Sequence, residues 1–244
     1  MRLLNSMKRS AKKALYAMGI EAHRFSPDSS PLARLITGFQ HFNIDLVLDV
    51  GANKGQFALD IRAGGYSKSI VSIEPSSSAH RLLLQASHGD LNWHVHSRCA
   101  VGASTGEIDL NIAGNSESSS VLPMLTAHLD AAPQSAYVGR EQVPMTTLDL
   151  LGVNYIDRAK ASFLKIDTQG YEWKVLDGAT AILPKVRGIL FEISLIPLYE
   201  GQHLWRESIE RIEAEGFILW ALQPVFADPV SGRTLQMDAL FFRL

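Results

Sequence analysis

Four carboxylates at or near the ends of short apolar runs carry most of the chemistry this sequence can do. In Asp45-Leu-Val-Leu-Asp-Val-Gly-Ala-Asn-Lys-Gly55 an apolar run holds Asp49 near its end and then breaks into a loop with Gly51 and Gly55. A second run, Ile70-Val-Ser-Ile, ends in Glu74. Phe163-Leu-Lys-Ile ends in Asp167, and Gly188-Ile-Leu-Phe-Glu-Ile193 holds Glu192 near its end. Short apolar runs of this kind read as buried parallel strands, and a glycine loop directly after one lets backbone approach a ligand closely.

The first two acids point to a nucleoside. Free N–H groups at a glycine turn and helix start can meet an anion. Asp49 can take an amino group, directly or through water, as a charge-assisted hydrogen bond. Glu74, about twenty residues further on, has the spacing of an acid that holds ribose hydroxyls at the tip of a second strand. Asn53 and Gln56 are polar enough to line the same pocket. The competing reading makes Asp49 a helix cap and Glu74 a solvated strand end; the pair at this spacing argues against both. The loop is Gly-x-x-x-Gly rather than Gly-x-Gly-x-x-Gly, which points away from a dinucleotide and a nicotinamide-dependent oxidoreductase. It points towards S-adenosylmethionine (SAM), which has no pyrophosphate.

The elements that must position these residues alternate. Strands are expected over 45–50, 70–74, 92–101, 107–112, 163–167, 188–193, 217–222 and 237–242. Helices are expected over 32–42, 56–62, 75–87, 172–183 and 204–215. Strand–helix alternation closed by a hairpin predicts an α/β fold, a doubly wound, mostly parallel sheet with an antiparallel last strand. Residues 113–142 lack sustained periodicity and are rich in serine and proline, so they read as a loop on the acceptor side, a lid whose Leu122, Met124, Leu125 and Leu129 offer apolar surface. Residues 1–42 read as an N-terminal basic helical extension and linker, and 43–244 as one domain.

At 244 residues the chain holds one full α/β core. The net charge of -2 gives no basic field, so nucleic acid is not expected as a partner. A single cysteine, Cys99, fits a reducing cytoplasm. No apolar run has membrane-spanning length. Arg2, Lys8, Arg9, Lys12 and Lys13 share residues 1–20 with apolar residues at helical spacing and no acid. Such a helix packs on its own domain or on a second subunit, the reading we favour, or lies peripherally on the anionic inner face of a membrane.

Several spans together resemble the FkbM-type SAM-dependent O-methyltransferases: Asp49-Val-Gly-Ala-Asn-Lys-Gly-Gln-Phe-Ala58, Ile73-Glu-Pro75, Thr147-Leu-Asp149, Leu164-Lys-Ile-Asp-Thr-Gln-Gly-Tyr-Glu172 and Val175-Leu-Asp-Gly-Ala179. The resemblance covers roughly residues 43 to 243 and implies a Rossmann-like class I methyltransferase fold. The family more often has Val-Glu where this chain has Thr168 and Gln169. Thr-Gln variants are similar to actinobacterial enzymes that methylate sugars of cell-envelope glycolipids, which implies a sugar hydroxyl as acceptor. Gln169 is no carboxylate and takes no base or metal role.

Methyl transfer aligns an acceptor oxygen with the sulfonium methyl, and an alcohol must lose its proton on the way. Asp167 is the first candidate for base or orienting group, followed by Glu192 and Glu172; His128 and His203 are further candidates. A divalent metal on Asp167 and a neighbouring acid can replace the base, though no convergent ligand set is visible. His94 and His96 share one strand face without a third ligand and read as structural. The alternative acceptors are a hydroxylated lipid or a secondary metabolite. A reading of another class is a catalytically silent SAM-binding protein at a membrane surface.

Overall fold

The apolar runs become strands because burial on both faces suits them. A computed structural model describes residues 9, 12–22 and 24–244. In chain order its elements are α1 (Pro31–His41), β1 (Leu46–Val50), α2 (Gln56–Ala63), β2 (Ser69–Ile73), α3 (Ser77–Ala86), β3 (Trp93–Val95), β4 (Ala100–Val101), β5 (Gly106–Ala113), α4 (Thr126–Ala131), β6 (Tyr137–Thr146), α5 (Leu148–Ile156), β7 (Ser162–Ile166), α6 (Glu172–Asp177), β8 (Val186–Ser194), α7 (Trp205–Ala214), β9 (Ile218–Ala227) and β10 (Thr234–Phe242). Every residue of β1 and of β7 is buried.

The main sheet has the order β3-β2-β1-β7-β8-β10-β9. β1 pairs in parallel with β2 and β7, and β7 with β8, while β10 runs antiparallel to both β8 and β9. This is the doubly wound, mostly parallel sheet expected from the sequence. Alternation along each strand divides the core in two. Val47, Phe163 and Phe242 pack against α1, α2 and α3 through Leu35, Ile61 and Leu83. Leu48, Leu164 and Phe241 pack on the opposite face with Leu151, Leu176 and Ile212.

Four expectations change. The strand read over 92–101 is two: β3 extends the main sheet beside β2, and β4 joins a separate sheet of order β4-β6-β5. Residues 96–99 turn between them, and there Arg98 Nη1 donates to the carbonyl of Pro75 at 3.1 Å. The helix read over 172–183 ends at Asp177, before Gly178, and Leu183–Lys185 is a separate 3-10 turn. Residues 113–142 are not an irregular loop. They contain α4, a 3-10 turn at Pro133–Ser135 and the first half of β6. Their Leu122 and Met124 pack inward on Leu198, Tyr199 and Leu235 rather than outward as ligand surface. α5, capped by Thr147 Oγ1 on the Leu150 amide at 3.2 Å, lies where no element was expected.

α1 belongs to the packed unit. Ser30 caps it, Pro31 opens it, and Phe39 meets Phe163 edge-on at 4.7 Å. The folded unit therefore begins ahead of the boundary expected at residue 42. Of the basic helix expected over 1–20, residues 12–17 are helical, with Lys12, Lys13 and Tyr16 exposed; residues 1–8, 10 and 11 lie outside the described residues. No described helix is long and apolar enough to cross a membrane.

Candidate active site

The strand order reverses between β1 and β7, and open α/β sheets bind ligands at the carboxyl ends of such a switch point. Here the two strand ends touch. The amide of Asp167 donates to the carbonyl of Val50 at 3.2 Å. Gly51 follows with φ 76°, and a Cβ placed on it would overlap the carbonyl oxygen of Asp167. Only glycine fits both demands. A cavity of about 490 Å3 opens above this contact, bounded by the loops after β1, β2 and β7, by β8 and β10, and by residues 115–118, 121, 128, 132, 134 and 135 of the inserted segment.

The β1–β2 half is tied to backbone. Glu74 is buried; its Oε2 accepts the Asn53 amide and its Oε1 the Ser76 amide, both at 2.8 Å. Burial pushes its carboxyl up to about 7 against the pull of those amides. Asp49 is fully buried, and its Oδ2 accepts from Ser72 Oγ at 2.9 Å, which in turn accepts the Trp93 indole N–H at 2.9 Å. Asp49 Oδ1 is ion-paired with Lys165 Nζ at 3.3 Å, and the same ammonium donates to the carbonyl of Gly51 at 2.7 Å, so Asp49 stands behind the cavity wall rather than in it. Asn53 stands in left-handed backbone (φ 46°) with a buried, unpartnered Oδ1. Gln56 lines the cavity and reaches Glu117 of the inserted segment at 3.2 Å. Gly55 stands behind the wall: at φ 91° it makes the turn and packs on Trp93 and Leu83.

The β7–β8 half is tied by side chains. Asp167 and Glu192 both line the cavity, and one amide nitrogen joins them. Gln169 Nε2 donates to Asp167 Oδ1 at 2.8 Å and to Glu192 Oε2 at 2.9 Å. Gln236 Nε2 adds a second donor to Glu192 Oε2 at 2.8 Å. The orientation of Gln169 is fixed by the Tyr199 hydroxyl, which donates to its Oε1 at 2.8 Å. Burial, then Asp167, Glu172 and Asp238, raise the Glu192 carboxyl well above the usual range. Asp238, on β10, is pushed up to about 7 by burial and by Asp167. Burial opposes the charge on Lys165, but Asp167 at 3.4 Å and Asp49 outweigh it, and the amine stays cationic.

Among the other candidates, His128 lines the cavity, packed on Tyr199 and Phe226, and burial lowers it to about 4, so it is neutral. Glu172 does not line the cavity. Its Oε1 accepts the amides of Thr168 and Gly170, at 2.8 and 3.0 Å, and so shapes the loop that carries Gln169. His203 is outside as well, partly exposed and stacked on Trp173 at 3.5 Å. His94 lies near Tyr155, and His96 near its own turn, away from any shared ligand. Among the described residues no group of three or more His, Cys, Asp or Glu is arranged to hold a metal.

Lys165, Tyr199, Gln236 and Asp238 were not anticipated. For Lys165 and Asp238 a signal existed: each is a charge inside an otherwise apolar strand run, and a buried charge requires a partner. Tyr199 and Gln236 carry no such mark. Their contacts to Gln169 and Glu192 span 30 and 44 residues.

A doubly wound sheet with this strand order, a glycine turn at its switch point and an acid closing its second strand defines a class I methyltransferase. Residues 49–219 match the family model of the methyltransferase FkbM domain, and the chain belongs to that family. Among solved structures, the magnesium protoporphyrin IX methyltransferase of Synechocystis PCC 6803 with bound SAM is similar over 87% of this chain and 78% of that chain, at 8% identity and TM-score 0.47. The ribosomal protein L11 methylase of Lactobacillus delbrueckii subsp. bulgaricus is similar over 87% of this chain and 76% of that chain, at 13% identity and TM-score 0.44. No match is found among curated proteins.

The residues present fit SAM. Asn53, in the cavity wall, has a buried Oδ1 without a donor, and SAM carries an ammonium and hydroxyls that donate. The remaining lone pairs of Glu74 are acceptors for ribose hydroxyls. Asp49, Glu74, Asp167, Glu192 and Asp238 surround the single ammonium of Lys165, an acidic setting that suits a cationic sulfonium.

Proposed function

We propose that the protein transfers the methyl group of SAM to a hydroxyl of a sugar, carried by a cell-envelope glycolipid. The observation that carries this reading is the wall facing Asp167 and Glu192. The inserted segment presents Asn115, Ser116, Glu117, Ser118, Gln134 and Ser135 to the cavity, a surface of hydroxyls and amides suited to a polyhydroxylated acceptor. Within it Asn115 Nδ2 donates to Ser118 Oγ and Ser135 Oγ, each at 3.0 Å, so the wall is ordered by its own hydrogen bonds.

When bound, SAM supplies the activated methyl. The chain supplies alignment and a place for the proton. Asp167 accepts the proton of the acceptor hydroxyl. Gln169 holds Oδ1 of that carboxylate while Oδ2 lies 3.4 Å from Lys165 Nζ, so both oxygens are fixed in place. Glu192, held on Oε2 by Gln169 and Gln236, faces a neighbouring oxygen of the acceptor and fixes which hydroxyl is presented. Lys165 holds the carbonyl of Gly51 and stabilises Asp49 and Asp167 as anions.

The test is a mass-shift screen of envelope glycolipid extracts with SAM and the purified protein. A gain of one methyl on the glycan is expected. Methylation confined to free hydroxylated lipids or small metabolites redirects the acceptor assignment, and SAM binding without transfer to any extract identifies a silent binding protein. A second reading concerns location: Lys12 and Lys13 lie beside exposed Tyr16, Met18, Ile20 and Phe25, a combination suited to an anionic membrane surface. Sedimentation with anionic vesicles, lost on neutral vesicles, is the expected result.

A further inference from the structure

A second cavity, of about 320 Å3, opens between the start of α1 and the sheet at β8, β10 and β9. Its wall is mostly apolar, with Leu32, Leu35, Ile61, Leu190, Ala221 and Leu240. It adjoins the reaction cavity, and Phe57, Asp60, Leu190 and Asp238 line both. The strands make that connection. Side chains two apart on a strand share a face, about 7 Å apart. Glu192 in the reaction cavity is thus followed on its face by Leu190, and Asp238 by Leu240, so each strand passes from an acid to an apolar floor.

A single acceptor can therefore span both spaces. The inserted segment supplies little apolar ligand surface, Val121 and Ala132 alone, because Leu122 and Met124 are used on the protein's own core. The sheet edge under α1 does. We propose that this second cavity seats the apolar portion of the acceptor, an alkyl or acyl chain attached to the sugar, with the sugar held at Asp167, Glu192 and Asp238. The assignment rests on the sugar-acceptor reading and narrows it to amphiphilic acceptors.

The probes are methyl and n-octyl β-D-glucopyranoside, the latter below its micellar concentration, titrated by calorimetry into the full chain saturated with demethylated SAM. The octyl glucoside is expected to bind at least about tenfold more tightly, given the gain per buried methylene. Ala221→Phe, which fills the cavity, and Leu32→Glu, which places a charge in its wall, should each reduce that preference to near unity and leave the binding of demethylated SAM unchanged. The second variant and the SAM-product titration separate loss of the cavity from loss of the fold. Equal binding of the two glucosides, or an octyl preference that survives both variants, overturns the proposal. A chain-length preference that both variants abolish upholds the cavity assignment even if the glycolipid screen shows no transfer, a result that removes the sugar-methylation reading alone. Methylated glycolipid without any chain-length preference removes the cavity assignment alone.

Discussion

The two halves of the reaction cavity hold their carboxylates by different means. At the β1–β2 end Glu74 is gripped by two backbone amides of its own neighbourhood. At the β7–β8 end Asp167 and Glu192 are gripped by side-chain amides, and the principal one, Gln169, is set by Tyr199. Backbone donors move only when the chain moves, whereas a side-chain relay changes with one substitution. On the function proposed above, the fold fixes the cofactor's place, and side chains from distant segments tune the place of the acceptor.

The strongest challenge to that contrast is at the point where the halves meet. Gly51→Ala combines a left-handed φ with overlap onto the Asp167 carbonyl and should cost about 3 kcal/mol or more of stability. Thermal denaturation measures it, and an unchanged Tm would mean that β1 and β7 need not touch. Asp167→Asn should lower kcat by roughly 100- to 10,000-fold while SAM affinity stays within a few-fold. Equal losses in both would merge the two halves into one unit.

Glu74→Ala should do the reverse. SAM affinity should fall by about 1.5–3 kcal/mol, the range for a charged hydrogen bond left unmade, with turnover kept at saturating SAM. Calorimetry and initial rates report the two separately. Tyr199→Phe frees the Gln169 amide and should reduce kcat by roughly three- to tenfold, the worth of one neutral hydrogen bond, without changing SAM affinity. If the rate stays at the wild-type value, Tyr199 does not position Gln169.

The smallest effect is in pH. The Glu74, Glu172 and Asp238 carboxyls are each raised to about 7 by burial. A raised carboxyl binds its proton more tightly in the folded chain, so the stability it contributes is full below the ordinary carboxylate range and is lost as pH rises through about 7. The Tm of the unliganded protein should therefore decline across that window. Ribose hydroxyls need the ionised Glu74, so SAM affinity should rise over the same interval. A flat affinity profile would show that Glu74 is already ionised in the free protein.

The same contrast explains what could be read from residue order. Asp49 and Gly51 are legible because strand and turn follow one another directly, and Glu74 because it ends the next apolar run about twenty residues on, a spacing within one strand–helix–strand unit. Asp167 and Glu192 are legible as strand-end acids, but not as a pair joined by one amide. That link depends on Gln169 in left-handed backbone (φ 56°) and on Tyr199, thirty residues away. The inserted segment hid its order for a related reason. α4 spans only Thr126–Ala131, too short for a helical period to show, and it is held by tertiary contacts such as the Leu125 amide on the carbonyl of Leu198 at 2.9 Å.

The place where that segment leaves and re-enters the fold has a further consequence. Ala100 stands opposite Met145 in the β4–β6 pair, and the Gly102 amide donates to the carbonyl of Thr146 at 2.9 Å. The chain therefore departs and returns through a single hydrogen-bonded doorway. A stretch with adjoining ends can be lengthened, trimmed or exchanged as a cassette while the scaffold around it keeps its connections. For engineering, residues 103–145 are the natural unit to graft between relatives, and the change of repertoire should travel with the graft.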